Sequence, residues 1–203
     1  MYFAKGGAEM NKEIVARLFR DPPVLRTQRL LLRRLQKNDC LDMHEYSRDA
    51  EVTKYLTWEP HPDPHYTMRY LTYIIPKYRT GDFHDWAVIH KESGKMIGTC
   101  GFTSFNYAHN SAEIGYVLNR RFWGKGLAAE AIRAVMRVGF FDLNLHRIEA
   151  KYMIGNAQSR RVMEKCGMQF EGIQRDAMYI KNQYETIGIC SILSADYIAL
   201  ENR

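Results

Sequence analysis

Apolar and polar positions alternate with two different periods along this chain. Apolar side chains that recur every three or four positions predict helices, whereas alternation at every second position predicts strands. The helical pattern covers residues 11–19, 38–48, 64–78, 124–141 and 156–166, with a single turn at 51–56. The strand pattern covers residues 27–33, 85–90, 96–105, 113–118, 146–154, 170–180 and 184–193.

The order of these elements predicts one α+β domain with a mixed sheet. A strand and two helices come first, an antiparallel meander follows, and the chain ends as strand–helix–strand–helix–strand–strand. With 203 residues, the chain is long enough to bury one sizeable core. We expect residues 1–24 to be an N-terminal extension that carries the first short helix, and residues 25–203 to form the domain.

Composition and charge narrow the classes of protein to which the chain can belong. No apolar run is long enough to span a membrane and the first residues lack a signal-peptide core, so a cytoplasmic protein without a membrane partner is expected. Cys40, Cys100, Cys166 and Cys190 are far apart and the histidines are scattered, which predicts buried free thiols and no metal site. The net charge of +6 is spread along the chain, so a polyphosphate ligand suits it better than a nucleic acid.

The strongest candidate for a ligand site is the glycine-containing segment Asn119–Glu130, which follows the strand Glu113–Leu118 and opens a helix. The first N–H groups of a helix lack internal partners, and Gly124 and Gly126 allow a ligand to approach the backbone. Together they predict a site for a phosphate or pyrophosphate. The segment also matches a dinucleotide-binding fingerprint weakly, with Glu149 as the ribose-binding acid. A helix start without a ligand is the remaining alternative.

Read as Arg121-x-x-Gly124-x-Gly126-Leu127-Ala128, this segment resembles the acetyl-CoA pyrophosphate loop of the GNAT N-acetyltransferase superfamily. Asn156–Met168 resembles the second signature of that superfamily. Four earlier motifs resemble the branch that contains the ribosomal-protein-alanine N-acetyltransferases: Thr27-x-Arg29-Leu30-x-Leu32-Arg33, Trp58-x-Pro60, Trp86-Ala87-Val88 and Ile97-Gly98. The resemblance covers residues 25–195. A dehydrogenase is disfavoured, since a meander precedes the loop and one crossover follows it.

The resemblance implies a mostly antiparallel, mixed central sheet flanked by helices. Its two parallel strands, at 113–118 and 146–154, would splay apart and form a cleft for acetyl-CoA, without a metal. The backbone of three residues would pair with the pantetheine arm: Tyr116, Val117 and Leu118. The pyrophosphate loop would contribute Arg121, Trp123, Gly124, Lys125, Gly126, Leu127 and Ala128, and the second signature would contribute Asn156 and Ser159.

The chemistry of acetyl transfer requires a neutral amine and a stabilised thiolate. Glu113, just before the cofactor-binding strand segment, is the candidate base and would act through water; an exposed strand glutamate is the alternative. Many GNAT enzymes carry a tyrosine where this chain has Met163, so Ser159 is the expected hydrogen-bond donor to the thiolate. Ser159 could instead belong to the helix cap. Tyr179 and Tyr184 are further possible donors.

The acceptor would bind beside the segment that contains Trp58, Tyr66 and Tyr70. We therefore expect an acetyl-CoA-dependent N-acetyltransferase that acts on a primary amine, with the N-terminal α-amine of a ribosomal or other protein as the first choice. A polyamine, amino acid or antibiotic is the second choice, and a non-catalytic acyl-CoA sensor is the third. The sequence is compatible with a monomer or a homodimer.

Overall fold

An eight-stranded mixed sheet runs through the molecule, for which a computed structural model describes residues 10–202. The strands, in chain order, are β1 Leu25–Arg26, β2 Leu30–Arg33, β3 Asp85–His90, β4 Met96–Asn106, β5 Ser111–Leu118, β6 Arg147–Met153, β7 Gln169–Ile180 and β8 Gln183–Leu193. The α-helices are α1 Lys12–Arg20, α2 Cys40–Ser47, α3 Ala50–Thr53, α4 Pro64–Ile74, α5 Leu127–Arg137, α6 Ala157–Lys165 and α7 Ser194–Glu201. The spatial order of the strands is β1-β2-β3-β4-β5-β6-β8-β7.

The two faces of the sheet pack against different helices because successive strand residues point to opposite sides. In β3, Trp86 and Val88 join the larger core, to which α1, α5, α6 and α7 also contribute. Ala87 and Ile89 join a second core that α2 and α4 cover. The predicted α+β fold with a mostly antiparallel sheet is therefore confirmed.

The parallel strands β5 and β6 separate, as the sequence predicted. Their pairing runs from Ser111↔Arg147 to Glu113↔Glu149 and ends there. Beyond that point β5 stays paired with β4 as far as Leu118, while β6 stays paired with β8 as far as Met153. A wedge with one edge of each strand free of strand pairing therefore opens in the sheet.

Three elements differ from the sequence prediction. The strand predicted at 27–33 is shortened to β2, which begins at Leu30, because the Thr27 N–H donates to Leu30 O at 3.0 Å and turns the chain; β1 lies before the predicted strand. The helix predicted at 64–78 ends at Ile74 and continues as a 3₁₀ turn, since Pro76 has no N–H to donate. The helix predicted from Gly124 begins at Leu127 and ends in a π-helical turn, Val138–Asp142.

The ends of the chain complete the larger core. Helix α1 begins near its predicted start and buries Val15 and Phe19 in that core. Helix α7, which the sequence analysis did not predict, buries Tyr197 against Phe140, with ring centroids 4.9 Å apart. Residues 1–9 of the expected extension lie outside the described residues, and the division at residue 24 stays a prediction. All four cysteines are free and buried, as expected.

Candidate active site

The wedge between β5 and β6 opens into a cleft of about 800 Å³ that passes through the sheet. Its two sides are lined by different parts of the chain. We call the half lined by Trp58, Asp85, Thr99 and Glu113 the α4 side. The half lined by Tyr116, Gly124, Ser159 and Arg161 is the α5 side. A ligand in the cleft therefore contacts both layers of the molecule.

The glycine loop on the α5 side presents helix N–H groups. Gly124 and Gly126 have φ angles of 75° and 77°, a left-handed conformation that glycine adopts without strain. Gly126 is the N-cap of α5 and has no side chain to cap the helix. The first intrahelical bond is that of the Glu130 N–H to Gly126 O, at 3.2 Å, so the preceding N–H groups have no acceptor within the helix. A Cβ atom at Gly124 would meet nothing within 4 Å. This geometry fits a pyrophosphate.

Distant residues hold this loop in place. Arg29 donates from Nη1 to Lys125 O at 2.9 Å and from Nε to Glu130 Oε2 at 2.7 Å. Thr27 donates its hydroxyl to Glu130 Oε1 at 2.6 Å. The Trp123 indole N–H donates to Leu118 O at 2.7 Å. The Thr27-x-Arg29 motif thus fixes the conformation of a loop about a hundred residues away in the chain.

The cations near the loop are arranged differently from expectation. Arg121 lies with Nη1 3.3 Å from Glu45 Oε1, and its side chain is 77% exposed. Lys125 places Nζ 5.2 Å from the centroid of the Phe122 ring. Arg161 and Lys165, one helical turn apart on α6, line the cleft. Sequence reasoning missed these two, although their spacing on a helix beside the glycine loop was available.

A tyrosine–serine pair lies on the α5 side of the wedge. The Tyr116 hydroxyl lies 2.7 Å from Ser159 Oγ and 3.2 Å from Ser159 O, and its single proton can be donated to only one of them at a time. The Ser159 N–H donates to Asn156 Oδ1 at 3.0 Å, so Asn156 caps α6 and leaves the Ser159 hydroxyl to Tyr116. Met163 is 1% exposed and belongs to the core. Burial raises the pKa of Tyr116, which keeps its hydroxyl protonated.

The sequence analysis assigned only the backbone of Tyr116 to the site. The alternation of β5 supplied the missing signal, because Ile114, Tyr116 and Leu118 point to one face of the sheet. Ile114 and Leu118 are buried in the core that α5 and α6 cover, and Tyr116 packs against it. A helix that begins near Asn156 on that face could therefore have been expected to meet the Tyr116 hydroxyl.

Glu113 lies at the point where the wedge begins and has a cationic partner. Its Oε2 atom is 2.6 Å from Lys151 Nζ, and Lys151 is also 3.5 Å from Glu149 Oε1. Burial opposes the charge of Lys151, but the two carboxylates outweigh burial and raise the pKa of the lysine. The Glu113 carboxylate thus lines the cleft as one member of an ion pair.

One of the three predicted acceptor residues lines the cleft, and all three pack against His61. Trp58 lines the cleft. Tyr66 and Tyr70 pack with Trp58 around the buried His61, with ring centroids 4.8 to 5.9 Å from the imidazole. The other candidate donors, Tyr179 and Tyr184, contact each other near the β7–β8 turn and are 63% and 67% exposed.

The described residues contain neither a metal-binding cluster nor a membrane-spanning helix. Within residues 10–202, no group of three or more His, Cys, Asp or Glu side chains is positioned to hold a metal ion. The same part of the chain contains no helix that is long and apolar enough to cross a membrane.

Comparison with known proteins identifies the family. Residues 29–169 match the family model described as an acetyltransferase (GNAT) domain. The chain is 36% identical over 173 residues to a Bacillus licheniformis protein named uncharacterized N-acetyltransferase p20, with 85% of this chain and 97% of that protein covered. It is 26% identical over 180 residues to the ribosomal protein uS5-alanine N-acetyltransferase of Escherichia coli (strain K12), with 85% and 92% covered.

A solved structure has the same fold. It is the spermidine N-acetyltransferase from Vibrio cholerae in complex with CoA and spermine, with a TM-score of 0.69, 24% sequence identity and coverage of 85% of this chain and 99% of that one. The family model spans well over half of the present chain, and p20 matches it over most of its length. This protein therefore belongs to the GNAT family of N-acetyltransferases.

Proposed function

We propose that this N-acetyltransferase moves an acetyl group from acetyl-CoA to the N-terminal α-amine of a protein. The observation that carries the proposal is the cleft through the sheet. It has the Tyr116–Ser159 pair on its α5 side and the Glu113 carboxylate on its α4 side. An amine and a leaving thiolate can therefore be served from opposite faces of one site.

The α5 side would bind the acetyl donor. The edge of β5 at Tyr116, Val117 and Leu118 faces the wedge and could pair with the pantetheine amides as an added strand. The N–H groups from Gly124 to Ala128 would bind the pyrophosphate, whereas the Trp123 N–H already donates to Arg120 O at 3.1 Å. Arg161 and Lys165 add positive charge on the same side. The bound donor would supply the acetyl thioester, which the amine would attack from the α4 side.

Glu113 would serve the attacking amine on the α4 side. As the amine nitrogen bonds to the acetyl carbon, it must lose a proton, and Glu113 would receive that proton through a water molecule. The Lys151 ammonium, 2.6 Å from the carboxylate, fixes its orientation. A weak base of this kind suits an amine that is already close to neutral.

Ser159 would serve the leaving thiolate. Its hydroxyl would donate a hydrogen bond to the sulfur while Tyr116 donates to Ser159 Oγ, which lies 2.7 Å away. Donors that act in series reinforce each other in a site from which water is excluded. Tyr116 thereby supplies the phenol group that Met163 cannot.

The proposed acceptor follows from the cost of making the amine neutral. At pH 7, deprotonation costs roughly 1 kcal/mol for an α-amine and roughly 4–5 kcal/mol for a lysine or a similar alkyl amine. The E. coli relative is named for the alanine of ribosomal protein uS5, which supports the same choice. The net charge of +6 also repels polycationic amines at long range.

A small cationic amine is the second candidate. Its support is the acidic lining of the α4 side, where Glu51, Asp85 and Glu113 face the cleft. These carboxylates would attract a cation at short range, where the net charge of the molecule matters less than its nearest charges.

A competition assay tests the proposal. The purified protein receives acetyl-CoA with a panel of N-terminal peptides, spermidine, free amino acids and aminoglycosides at equal concentrations. We expect the highest kcat/KM for a peptide. A higher value for one of the small molecules would transfer the function to that class, and binding of acetyl-CoA without turnover on any acceptor would indicate a sensor.

A further inference from the structure

Asp85 is a carboxylate of the cleft that the proposed mechanism does not yet use. It begins β3, whose alternation sends Trp86 into the larger core and turns Asp85 towards the face that α2 and α4 cover. There it lines the same cleft as Thr99 and Glu113. Its side chain is partly buried within the protein.

A row of two glycines connects Asp85 with the wedge. Asp85 pairs with Gly101 of β4, and Gly101 pairs with Gly115 of β5. A Cβ atom at Gly101 would lie 2.3 Å from Asp85 Oδ1, so the carboxylate lies directly over that glycine. Gly115 is one strand further, about 5 Å away, where the pairing of β5 with β6 has ended. Neither glycine places a side chain between the carboxylate and the wedge, and the Thr103 methyl group lies beside Gly115.

The side chain of Asp85 has no partner among residues 10–202. Its main-chain oxygen accepts from the Tyr78 hydroxyl at 2.6 Å, but within residues 10–202 neither carboxylate oxygen has a hydrogen bond or an ion pair. Burial raises the pKa of this carboxyl to about 7. The titratable groups that face it come from α2, α4, the 3₁₀ turn after α4, and β4: Tyr46, Tyr70, Tyr78 and Cys100. Burial chiefly, and the Asp85 charge in addition, raise the pKa of each, so all four are neutral at pH 7.

A partly buried carboxylate without a protein partner costs folding free energy, and such a group is expected at a site that binds a cation. We propose that the acceptor's ammonium group docks on Asp85 and leaves its first proton there. The inference rests on the proposed function and adds the residue that selects the acceptor.

The protons balance with two carboxylates. The R–NH₃⁺ group gives one proton to the Asp85 carboxylate and becomes R–NH₂ with a free electron pair. That pair forms the N–C bond, the C–S bond breaks with its electrons on sulfur, and the nitrogen gives its second proton to Glu113 through water. Asp85 and Glu113 then release their protons to solvent, and the thiolate takes up one proton from solvent by way of Ser159, so that one proton is released overall.

Asp85 is suited to an α-amine. Transfer of a proton from an α-amine, with a pKa near 8, to a carboxylate with a pKa of about 7 is unfavourable by roughly tenfold. The same transfer from a lysine or a polyamine nitrogen, with a pKa near 10.4, is unfavourable by more than a thousandfold. Asp85 would therefore favour the acceptor class that the proposed function names.

The test compares Asp85→Asn with Asp82→Asn, an exposed acid three positions earlier. With a peptide acceptor, we expect Asp85→Asn to lower kcat/KM roughly a hundredfold at pH 8 and to remove the rise in kcat/KM around pH 7. The Kd of acetyl-CoA should stay within twofold of the parent value. Asp82→Asn should leave all three measurements unchanged.

Stability gives a second, independent measurement. Because the pKa of Asp85 is raised in the folded protein, its cost to folding is absent below about pH 4 and complete above about pH 7. The Tm of Asp85→Asn should therefore exceed that of the parent by roughly 5 °C at pH 8 and by less at pH 5. A structural role would instead lower the Tm.

Three results would overturn the inference. An unchanged pH profile in Asp85→Asn, with a parent that acetylates peptides, removes Asp85 and leaves the proposed function intact. A lower Tm at both pH values together with lost activity assigns Asp85 to the framework. A parent protein that acetylates no peptide α-amine removes the proposed function and this inference together.

Discussion

The two sides of the cleft differ in how their polar groups are held. On the α5 side, protein partners hold the reactive groups: Tyr116 contacts Ser159, Asn156 caps α6, and Arg29 binds the glycine loop. On the α4 side, Glu113 is paired with Lys151, while Asp85 has no side-chain partner within residues 10–202.

This difference indicates a division of tasks. A rigid α5 side suits a donor that is the same in every reaction, because groups held in place before binding lose little entropy. An unpartnered carboxylate on the α4 side suits an acceptor that brings its own cation. Substitutions on the α5 side should therefore affect any acceptor equally, whereas those on the α4 side should change the choice of acceptor and the pH dependence.

The largest expected effect is on the α5 side, from Gly126→Asp. At a φ of 77° the new residue is strained, and its carboxylate would lie near the pyrophosphate. Two like charges about 4 Å apart repel by about 4 kcal/mol near a protein surface, which corresponds to roughly a thousandfold weaker binding. Calorimetry with CoA measures the Kd.

The matched control for this variant is Gly94→Asp. Gly94 has a φ of 69° in the β3–β4 turn, and a Cβ atom there meets nothing within 4 Å. The control shares the strain but not the position, so its affinity for CoA should equal that of the parent. Equal affinities in both variants would remove the glycine loop from the site.

The α5 side was also the more predictable from sequence, because its chemistry lies in short segments. The glycine spacing predicted the loop, and a helix cap was one of the two alternatives for Ser159. The start of β2 at Leu30, three residues later than the strand predicted at 27–33, could not be predicted, since Thr27 and Arg29 are held by Glu130, 103 and 101 residues later. The secondary-structure preferences of neighbouring residues carry no information about contacts between such distant positions.

The α4 side was less predictable because it is assembled from distant segments. Asp85 reads as the first residue of a strand, and only the pairing of Asp85 with Gly101 and of Gly101 with Gly115 shows that it faces the wedge. Tyr66 and Tyr70 lie in the expected helix, but both of their rings pack against the buried His61. Which side chain meets a cavity depends on register and packing, and these are not local properties.

The next largest effect should come from the tyrosine–serine pair. Ser159→Ala and Tyr116→Phe should each lower kcat roughly a hundredfold, since loss of one donor to a developing anion costs that much. The double variant should lose little more than either single variant, because the two groups act in series. Tyr197→Phe is the control, as its hydroxyl contacts Arg133 O at 3.4 Å away from the cleft. Strictly additive losses would contradict a shared role.

A smaller effect is expected from Glu113→Gln. It should lower kcat roughly tenfold at pH 7 and less at pH 9, where the amine is already neutral, with the affinity for acetyl-CoA unchanged. Glu149→Gln is the control, because Glu149 lies opposite Glu113 in the strand pairing and also contacts Lys151. An equal loss at both pH values would assign Glu113 a structural role.

The smallest effect concerns the framework of the α4 side. The Thr67 hydroxyl bridges His44 Nδ1 at 3.1 Å and His61 Nδ1 at 2.9 Å, and all three residues are buried. Thr67→Val leaves both imidazoles without this partner and should lower the free energy of unfolding by about 2 kcal/mol. Urea unfolding at pH 7.5 measures this free energy, and Thr80→Val, a substitution at an exposed threonine, is the control.

The same pair of histidines makes the stability of the α4 side depend on pH. The hydrogen bonds described above for the α5 side involve no histidine. Burial lowers the pKa of His44 and of His61, and the proximity of His44 lowers that of His61 further. A lowered pKa means that the unfolded chain binds these protons first. The stabilisation is therefore complete above about pH 6.5 and is lost as the pH falls through the lowered values. Urea unfolding at pH 7.5 and 5.5 should show this loss in the parent and a smaller one in His61→Gln. An equal loss of unfolding free energy between pH 7.5 and pH 5.5 in the two proteins would mean that His61 has the same pKa in the folded and the unfolded chain.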